Sequence, residues 1–356
     1  MIPKEYVSLA PCTTFAIGGS ARYFSEATSL DELRASLTFA HEHSLDVFIL
    51  GGGSNILVAD DGFDGMVIAL RIEGIAEHKR GVTVGAGVAW DDFVAWSIEQ
   101  GFTGLECMSG VPGTVGGAVV ANVGAYGAQV SDTLVCVEVV DTHDLSGAVA
   151  TLENAACAFS YHDSLFGRSA GRFAVVSATF MLARGRSVTP AYRDNRFDLT
   201  KLATTLGHEP SPMEVRNAVL SMREEKGTLI MQGRVSYRCA GSFFHMPLVS
   251  KEKYDEVVAR ACALDSTKEE RLRPWAWVQA DCSYKLAPGF LLEYTEFQKG
   301  YVRGNVGISP RHTLTIINVH SASAREVSGL ARDMQETIQK TFGVYLEREV
   351  EYVGAV

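Results

Sequence analysis

Between residues 44 and 60 the chain alternates two short apolar runs with a cluster of small and polar residues. Asp46-Val47-Phe48-Ile49-Leu50 leads into Gly51-Gly52-Gly53-Ser54-Asn55, and Ile56-Leu57-Val58 follows. Apolar run, glycine cluster, apolar run reads as strand, tight turn, strand. Consecutive glycines let backbone amides approach a partner closely, and successive amides in a turn make an anion-binding concavity. A plain glycine-rich hairpin fits the same letters. Further on, Val82-Thr83-Val84 reads as a strand. Residues 90–100 read as an amphipathic helix, with Asp91 and Asp92 in its first turn and Gly101 at its end. Residues 135–141 and 173–182 read as strands flanking a polar segment, and 312–319 as another strand. Helical spacing predicts helices over 213–226, opened by Ser211-Pro212, and over 323–342, opened by Ser323 and stopped at Gly343.

Glycine recurs at 101, 104, 110, 113, 116, 117, 124 and 127, in a stretch that also carries Leu105, Met108, Val111, Val115, Val119, Val120, Val123 and Tyr126. Flexible linkers lack such apolar content. The stretch therefore reads as a buried, ordered loop whose backbone runs against something flat or phosphorylated. Two such loops about 50 residues apart point to a large nucleotide cofactor straddling strands. A Rossmann site is not signalled, because Val84-Gly85-Ala86-Gly87-Val88-Ala89 lacks the third glycine, and no P-loop occurs.

Composition narrows the field. The 356 residues carry 32 basic and 42 acidic side chains, a net charge of −10, which argues against a nucleic-acid or anionic-membrane surface. No apolar stretch has the length of a membrane span, and the first residues lack a signal-peptide layout, so a cytoplasmic protein is expected. Seven scattered cysteines without CxxC spacing and histidines without HExxH predict no metal site.

Five segments, taken in order, resemble the UDP-N-acetylenolpyruvoylglucosamine reductase (MurB) family: Thr13–Gly19, ILGGGSNILV at 49–58, GLECMSGVPGTVGGAVVANVGAYGAQVSDT at 104–133, AGSFFHMP at 240–247, and 299–327 running on to 342–354. The resemblance implies an α+β protein with a two-subdomain FAD-binding module of the vanillyl-alcohol-oxidase/PCMH type (residues 1–75 and 76–207) and a C-terminal α+β substrate-binding domain (208–356). It implies FAD and NADPH as cofactors and a UDP-sugar enolpyruvate as substrate, reduced in peptidoglycan precursor synthesis, with a monomer expected. The pyrophosphate would lie on Gly51, Gly52, Gly53, Ser54 and Asn55. Ser109, Gly110, Pro112, Gly113, Gly116, Gly117, Asn122, Gly124 and Ala125 would line the rest of the cofactor.

The resemblance also assigns chemistry. Hydride from flavin N5 reaches the vinyl carbon distal to the carboxylate, and Ser242 would protonate the neighbouring carbon. Glu349 would support the enolic intermediate or the protonation, although a solvated edge-strand charge fits the same letters and Glu347 lies two residues away. Arg223 and Lys226, three apart on one helix face, Lys285, Tyr126 and Tyr161 would stand on the substrate side. The segment 184–200 is expected to be a loop over the substrate with Tyr192 or Phe197 at its tip.

The match departs at three places. His162 stands where the family has an arginine facing the substrate carboxylate, and an imidazole is charged only below about pH 6.5 unless a neighbour intervenes. His245 and Met246 replace a lysine and an asparagine, and Cys239 an asparagine. With FAD loops intact and the substrate grip altered, two readings compete: a divergent working reductase, or a paralogue acting on another substrate. A flavin-binding protein without catalysis and an oxidase are the remaining alternatives.

Overall fold

The computed structural model describes residues 2–169, 171–185, 190–192, 198–230, 237–266, 276–279 and 281–356. Phe197 lies outside them. The chain is α+β throughout. Its first sheet orders Lys4–Ser8, Ser20–Ala27, Phe63–Leu70 and Val47–Leu50; the first pair is antiparallel and the other two are parallel. One connection within it is the helix Leu30–Glu42, capped by Ser29 on the Glu32 amide with Asp31 and Glu32 at its positive end. Its buried Leu33, Leu37 and Ala40 recur at helical spacing and face Met66 and Ile68 of the sheet.

A second, wholly antiparallel sheet orders Val149–Glu153, Leu134–Asp141, Phe173–Phe180, Gly81–Gly85 and Ile75–His78. The helix Trp90–Glu99 lays Trp90 and Phe93 against Phe180, edge to face or tilted, and one continuous core joins this sheet to the first. The polar segment between the two central strands holds the edge strand Val149–Glu153 and a short helix, Leu165–Arg168, capped by Ser164.

The last part of the chain has its own core around the helix Ala324–Phe342. Val327, Leu330, Ala331, Met334, Ile338 and Phe342 form its buried stripe; Ser323 and Glu326 make a capping box, and Gly343 ends it at φ +67°. Asp60, from the first part of the chain, accepts from the amides of Ala324 (2.6 Å) and Arg325 (3.1 Å), placing a carboxylate at the helix's positive end. The helix Pro212–Lys226 likewise has its capping box, Ser211 with Glu214, and ends at Gly227.

One alternative falls and one expectation changes. Val47–Leu50 and Ile56–Val58 are strands, as their apolar runs predict, but not a plain hairpin: the former joins the first sheet, and the latter pairs in parallel with Glu351–Val353 from the chain's last residues. The strand expected over 312–319 is confined to Ile316–Asn318, because a turn closed by Thr315 N–H on the His312 carbonyl (3.1 Å) takes up its first residues. Among the described residues no helix is long and apolar enough to cross a membrane.

Candidate active site

The two glycine loops meet each other. A side-chain carbon on Gly52 would stand 2.5 Å from Gly113 Cα, and one on Gly51 would stand 2.9 Å from Thr114 Oγ1. Gly53, at φ +63°, passes so close to Cys12 that a Cβ would lie 2.1 Å from its carbonyl oxygen. Among the described residues the amides of Gly52, Gly53 and Ser54 donate to no protein acceptor. Unpaired, adjacent amides in a bend fit a pyrophosphate, so these residues suit the nucleotide that the sequence implies. Ser54 Oγ instead reaches the Pro112 carbonyl at 3.4 Å.

Other residues expected at the cofactor are spent on scaffolding. Asn122 is fully buried; its carboxamide donates to Ser160 O (2.8 Å) and accepts from Ser131 N–H (3.1 Å), which holds the turn carrying Tyr161 and His162. Ser109 Oγ donates to Glu106 O (2.7 Å). Asn55 donates to the Glu349 carbonyl (3.2 Å), and its own carbonyl accepts from Glu351 N–H (3.0 Å). The nucleotide loop thus grips the backbone at Glu349 and just after it.

A basic corner lies on the Pro212–Lys226 helix. Arg223 and Lys226 are both over nine-tenths buried. Lys226 Nζ donates to Tyr192 OH (3.0 Å) and sits 5.2 Å from the Tyr126 ring centre, with Tyr126 and Tyr192 packed edge to face at 4.9 Å. Arg223 donates through Nη2 to Thr228 O (2.9 Å), while its Nε is buried without a partner. Burial draws Arg223 below its ordinary value, opposed by Tyr126 and Asp91. A buried guanidinium with a spare donor is a place for an anion. Asp91 fixes this helix to the second sheet's module: it pairs through both oxygens with Arg216 (2.6 and 2.8 Å) and accepts from the Gly110 amide (2.6 Å).

The segments carrying Ser242 and Glu349 are joined by a short backbone ladder. Glu349 N–H donates to Phe243 O (3.0 Å), His245 N–H donates to Glu347 O (2.9 Å), and Phe244 bridges Arg348. Glu347 is exposed, whereas Glu349 turns into the site. His162 Nδ1 lies 3.5 Å from Glu349 Oε1, and His245 Nδ1 lies 3.7 Å from Oε2. Lys285, from the strand Tyr284–Leu286, places Nζ 3.3 Å from the centre of the Tyr161 ring. Burial pushes Glu349 up to about 7, against the pull of Lys285, and draws Lys285 down to about 8. It draws His162 down to about 4, aided by His245 and Lys285, and raises Tyr161 to about 12, aided by Glu349. His245 was not among the expected site residues. Its signal in the sequence is its place three residues after Ser242. No group of three or more His, Cys, Asp or Glu among the described residues is arranged to hold a metal.

The fold and the nucleotide loops define a flavin-binding protein: a profile described as "FAD binding domain" matches residues 21–144. A second, "UDP-N-acetylenolpyruvoylglucosamine reductase, C-terminal domain", matches residues 233–353. The chain is 34% identical over 354 residues to the UDP-N-acetylenolpyruvoylglucosamine reductase of Thermobifida fusca, covering 98% of this chain and 97% of that one. It is 34% identical over 351 residues to that of Pseudomonas putida, with 97% of each covered. The crystal structure of the Thermus caldophilus reductase matches its fold over 99% of this chain and 100% of that chain, with a TM-score of 0.66 at 24% identity. The chain belongs to the UDP-N-acetylenolpyruvoylglucosamine reductase (MurB) family.

Proposed function

We propose that this chain reduces the enolpyruvyl group of UDP-N-acetylglucosamine enolpyruvate to give UDP-N-acetylmuramate, with NADPH as reductant, in peptidoglycan precursor synthesis. The observation that carries this reading is the convergence of Glu349, His162, His245 and Lys285 beside the backbone that the nucleotide loop grips, with Ser242 three residues before His245 on the same ladder. Bound FAD would accept hydride from NADPH and deliver it to the vinyl carbon distal to the carboxylate.

The chain's own residues supply the rest. Negative charge builds towards the substrate carboxylate as hydride adds, and Lys285 and the imidazoles face that charge. The adjoining carbon then needs a proton. Ser242 Oγ makes no hydrogen bond among the described residues, so it is free to donate, and Glu349, whose N–H meets the adjoining Phe243 carbonyl, would ease loss of its proton. Arg223 and Lys226 meet the diphosphate. The reading places the protein in the cytoplasm as a monomer.

The test is anaerobic stopped-flow at the flavin band: the yellow protein is reduced with NADPH, then mixed with the enolpyruvyl nucleotide. Rapid reoxidation with UDP-N-acetylmuramate as product is expected. Reduced flavin that ignores this nucleotide would reject the assignment and favour a paralogue for another enol ether, the reading to which His162 and Met246 also point. A second expectation concerns Tyr192. Its hydroxyl, 3.0 Å from Lys226 Nζ, would help seat the diphosphate. Tyr192→Phe should therefore raise KM for the nucleotide about 3–10-fold, as loss of one polar contact does, and leave kcat unchanged. An unchanged KM would remove Tyr192 from the substrate site.

A further inference from the structure

Two imidazoles, an ammonium, a phenol and a carboxylate converge here from four separate stretches of chain, yet they do not satisfy one another. The contacts of His162 and His245 with Glu349, at 3.5 and 3.7 Å, are ion-pair distances and not hydrogen bonds. Among the described residues neither imidazole has any hydrogen bond, and Lys285 Nζ meets only the face of Tyr161. Both histidine side chains are only 25% exposed. Half-buried polar groups left open in this way await a ligand. The two rings stand 6.3 Å apart, each on a different oxygen of Glu349, and His162 is held at φ +49°, a conformation unusual for a residue with a side chain.

The charge balance says what the ligand demands. His162 faces Glu349, His245, Lys285 and Tyr161; Asp163 beside it is engaged by Arg168. His245 faces Glu349, Glu347, Asp163, Lys285 and Tyr161. Arg348 is turned away onto the Tyr352 ring, 3.5 Å from its centre. Among the described residues Lys285 is thus the one side chain at the cluster that carries positive charge without first taking up a proton at neutral pH. A carboxylate brought in beside Glu349 would put two like charges in one poorly hydrated pocket, and a further positive charge is needed to hold both.

We propose that His162 and His245 together form a proton-dependent grip on the substrate's carboxylate, with His245 a substrate-contacting residue in its own right. This rests on the functional reading above. The proton that charges an imidazole has two sources. Below neutrality Glu349 already holds one and passes it to the neighbouring imidazole when the carboxylate enters. Above neutrality Glu349 is ionised, and the proton comes from solvent. Affinity is therefore steady in mild acid and falls as pH rises.

Calorimetry of the enolpyruvyl nucleotide binding to the oxidised holoenzyme without NADPH, in buffers of unlike ionisation enthalpy, counts that proton. Uptake should be close to none at pH 6 and reach about one or slightly more at pH 8, where Lys285, drawn down to about 8, adds its own share to the imidazole's, and KM should rise about tenfold per pH unit above 7. His162→Arg supplies a fixed charge, so its KM should be flat from pH 6 to 7 and rise more shallowly than the wild type's above that, as Lys285, drawn down to about 8, loses its own charge. His245→Gln should raise KM about 10–100-fold, the worth of a charge-assisted hydrogen bond, with a much smaller effect on kcat. Thermal melts of both variants identify any loss due to misfolding. Turnover with no proton uptake and a flat wild-type KM overturns the grip alone; no binding and no turnover at any pH overturns the functional reading with it.

Discussion

Ser242→Ala should reduce normally with NADPH and then fail to pass its electrons on. The variant removes the hydroxyl proposed to protonate the substrate carbon, and positioned acids of this kind are worth about 10²–10⁴ in rate. Hydride addition without the following proton leaves an unstable anion that returns its hydride, so reoxidation by the enolpyruvyl nucleotide should slow by that factor. The reductive step needs no proton from Ser242 and should be unchanged. Ser242→Cys keeps a proton to give and should recover part of the loss. Stopped-flow of the two half-reactions reads both effects. Equal slowing in both would mean that Ser242 shapes the site without donating, and unchanged reoxidation would assign the proton to another group. The expectation stands on the ladder in which Glu349 N–H meets the Phe243 carbonyl, since that ladder brings the backbone next to Ser242 against that of Glu349.

Why some of this was legible and some was not follows from the range of the interactions. The helices ending at Gly227 and Gly343 announce themselves locally: a capping serine, a glutamate three residues on, an apolar stripe and a glycine stop. The glycine loops are equally local in composition. What the letters did not show is that the loops close on each other, because Gly52 and Gly113 meet through tertiary packing. Nor could they show Ile56–Val58 pairing with Glu351–Val353, a three-residue parallel contact between distant parts of the chain with no periodicity of its own. Asn55 follows from that pairing. Its position in the loop reads as a donor to phosphate, but the Glu349 carbonyl, two residues before the C-terminal strand, captures its carboxamide. Asn122, expected to line the rest of the cofactor, is likewise captured, by the Ser160 turn. The family resemblance supplied Ser242, Glu349 and Lys285 as separate letters. His245 drew notice only as a departure from the family pattern, and its approach to Glu349 depends on a bridge between residues about a hundred apart in sequence, Phe244 and Arg348.

The loop closure makes a prediction about glycine that separates what the protein needs from what its cofactor needs. In Gly52→Ala the new methyl would stand 2.5 Å from Gly113 Cα, 3.0 Å from Gly113 C and 3.3 Å from Thr114 N. All three are backbone atoms of the other loop, so no side chain can swing aside. Gly52 does not require a left-handed backbone, and the effect is steric. Forcing an extra carbon into such a contact costs about 1–3 kcal/mol, or more where backbone must move. The loops would part, with Tm lowered by several degrees in the flavin-free protein and flavin lost on purification. Gly117→Ala is the contrast. Its methyl would meet no protein atom closer than Thr114 Oγ1 at 3.7 Å, and it lies within the helix Val115–Val120, where alanine is favoured over glycine by about 1 kcal/mol. The flavin-free variant should melt at or above the wild-type temperature. If the nucleotide lies against this turn, the same methyl should weaken FAD binding, so titration of the flavin-free protein with FAD should give a raised Kd beside an undiminished Tm. A Gly52→Ala protein that melts like wild type and keeps its flavin would show that the loops can separate freely. A Gly117→Ala protein with wild-type affinity would move the cofactor away from this helix.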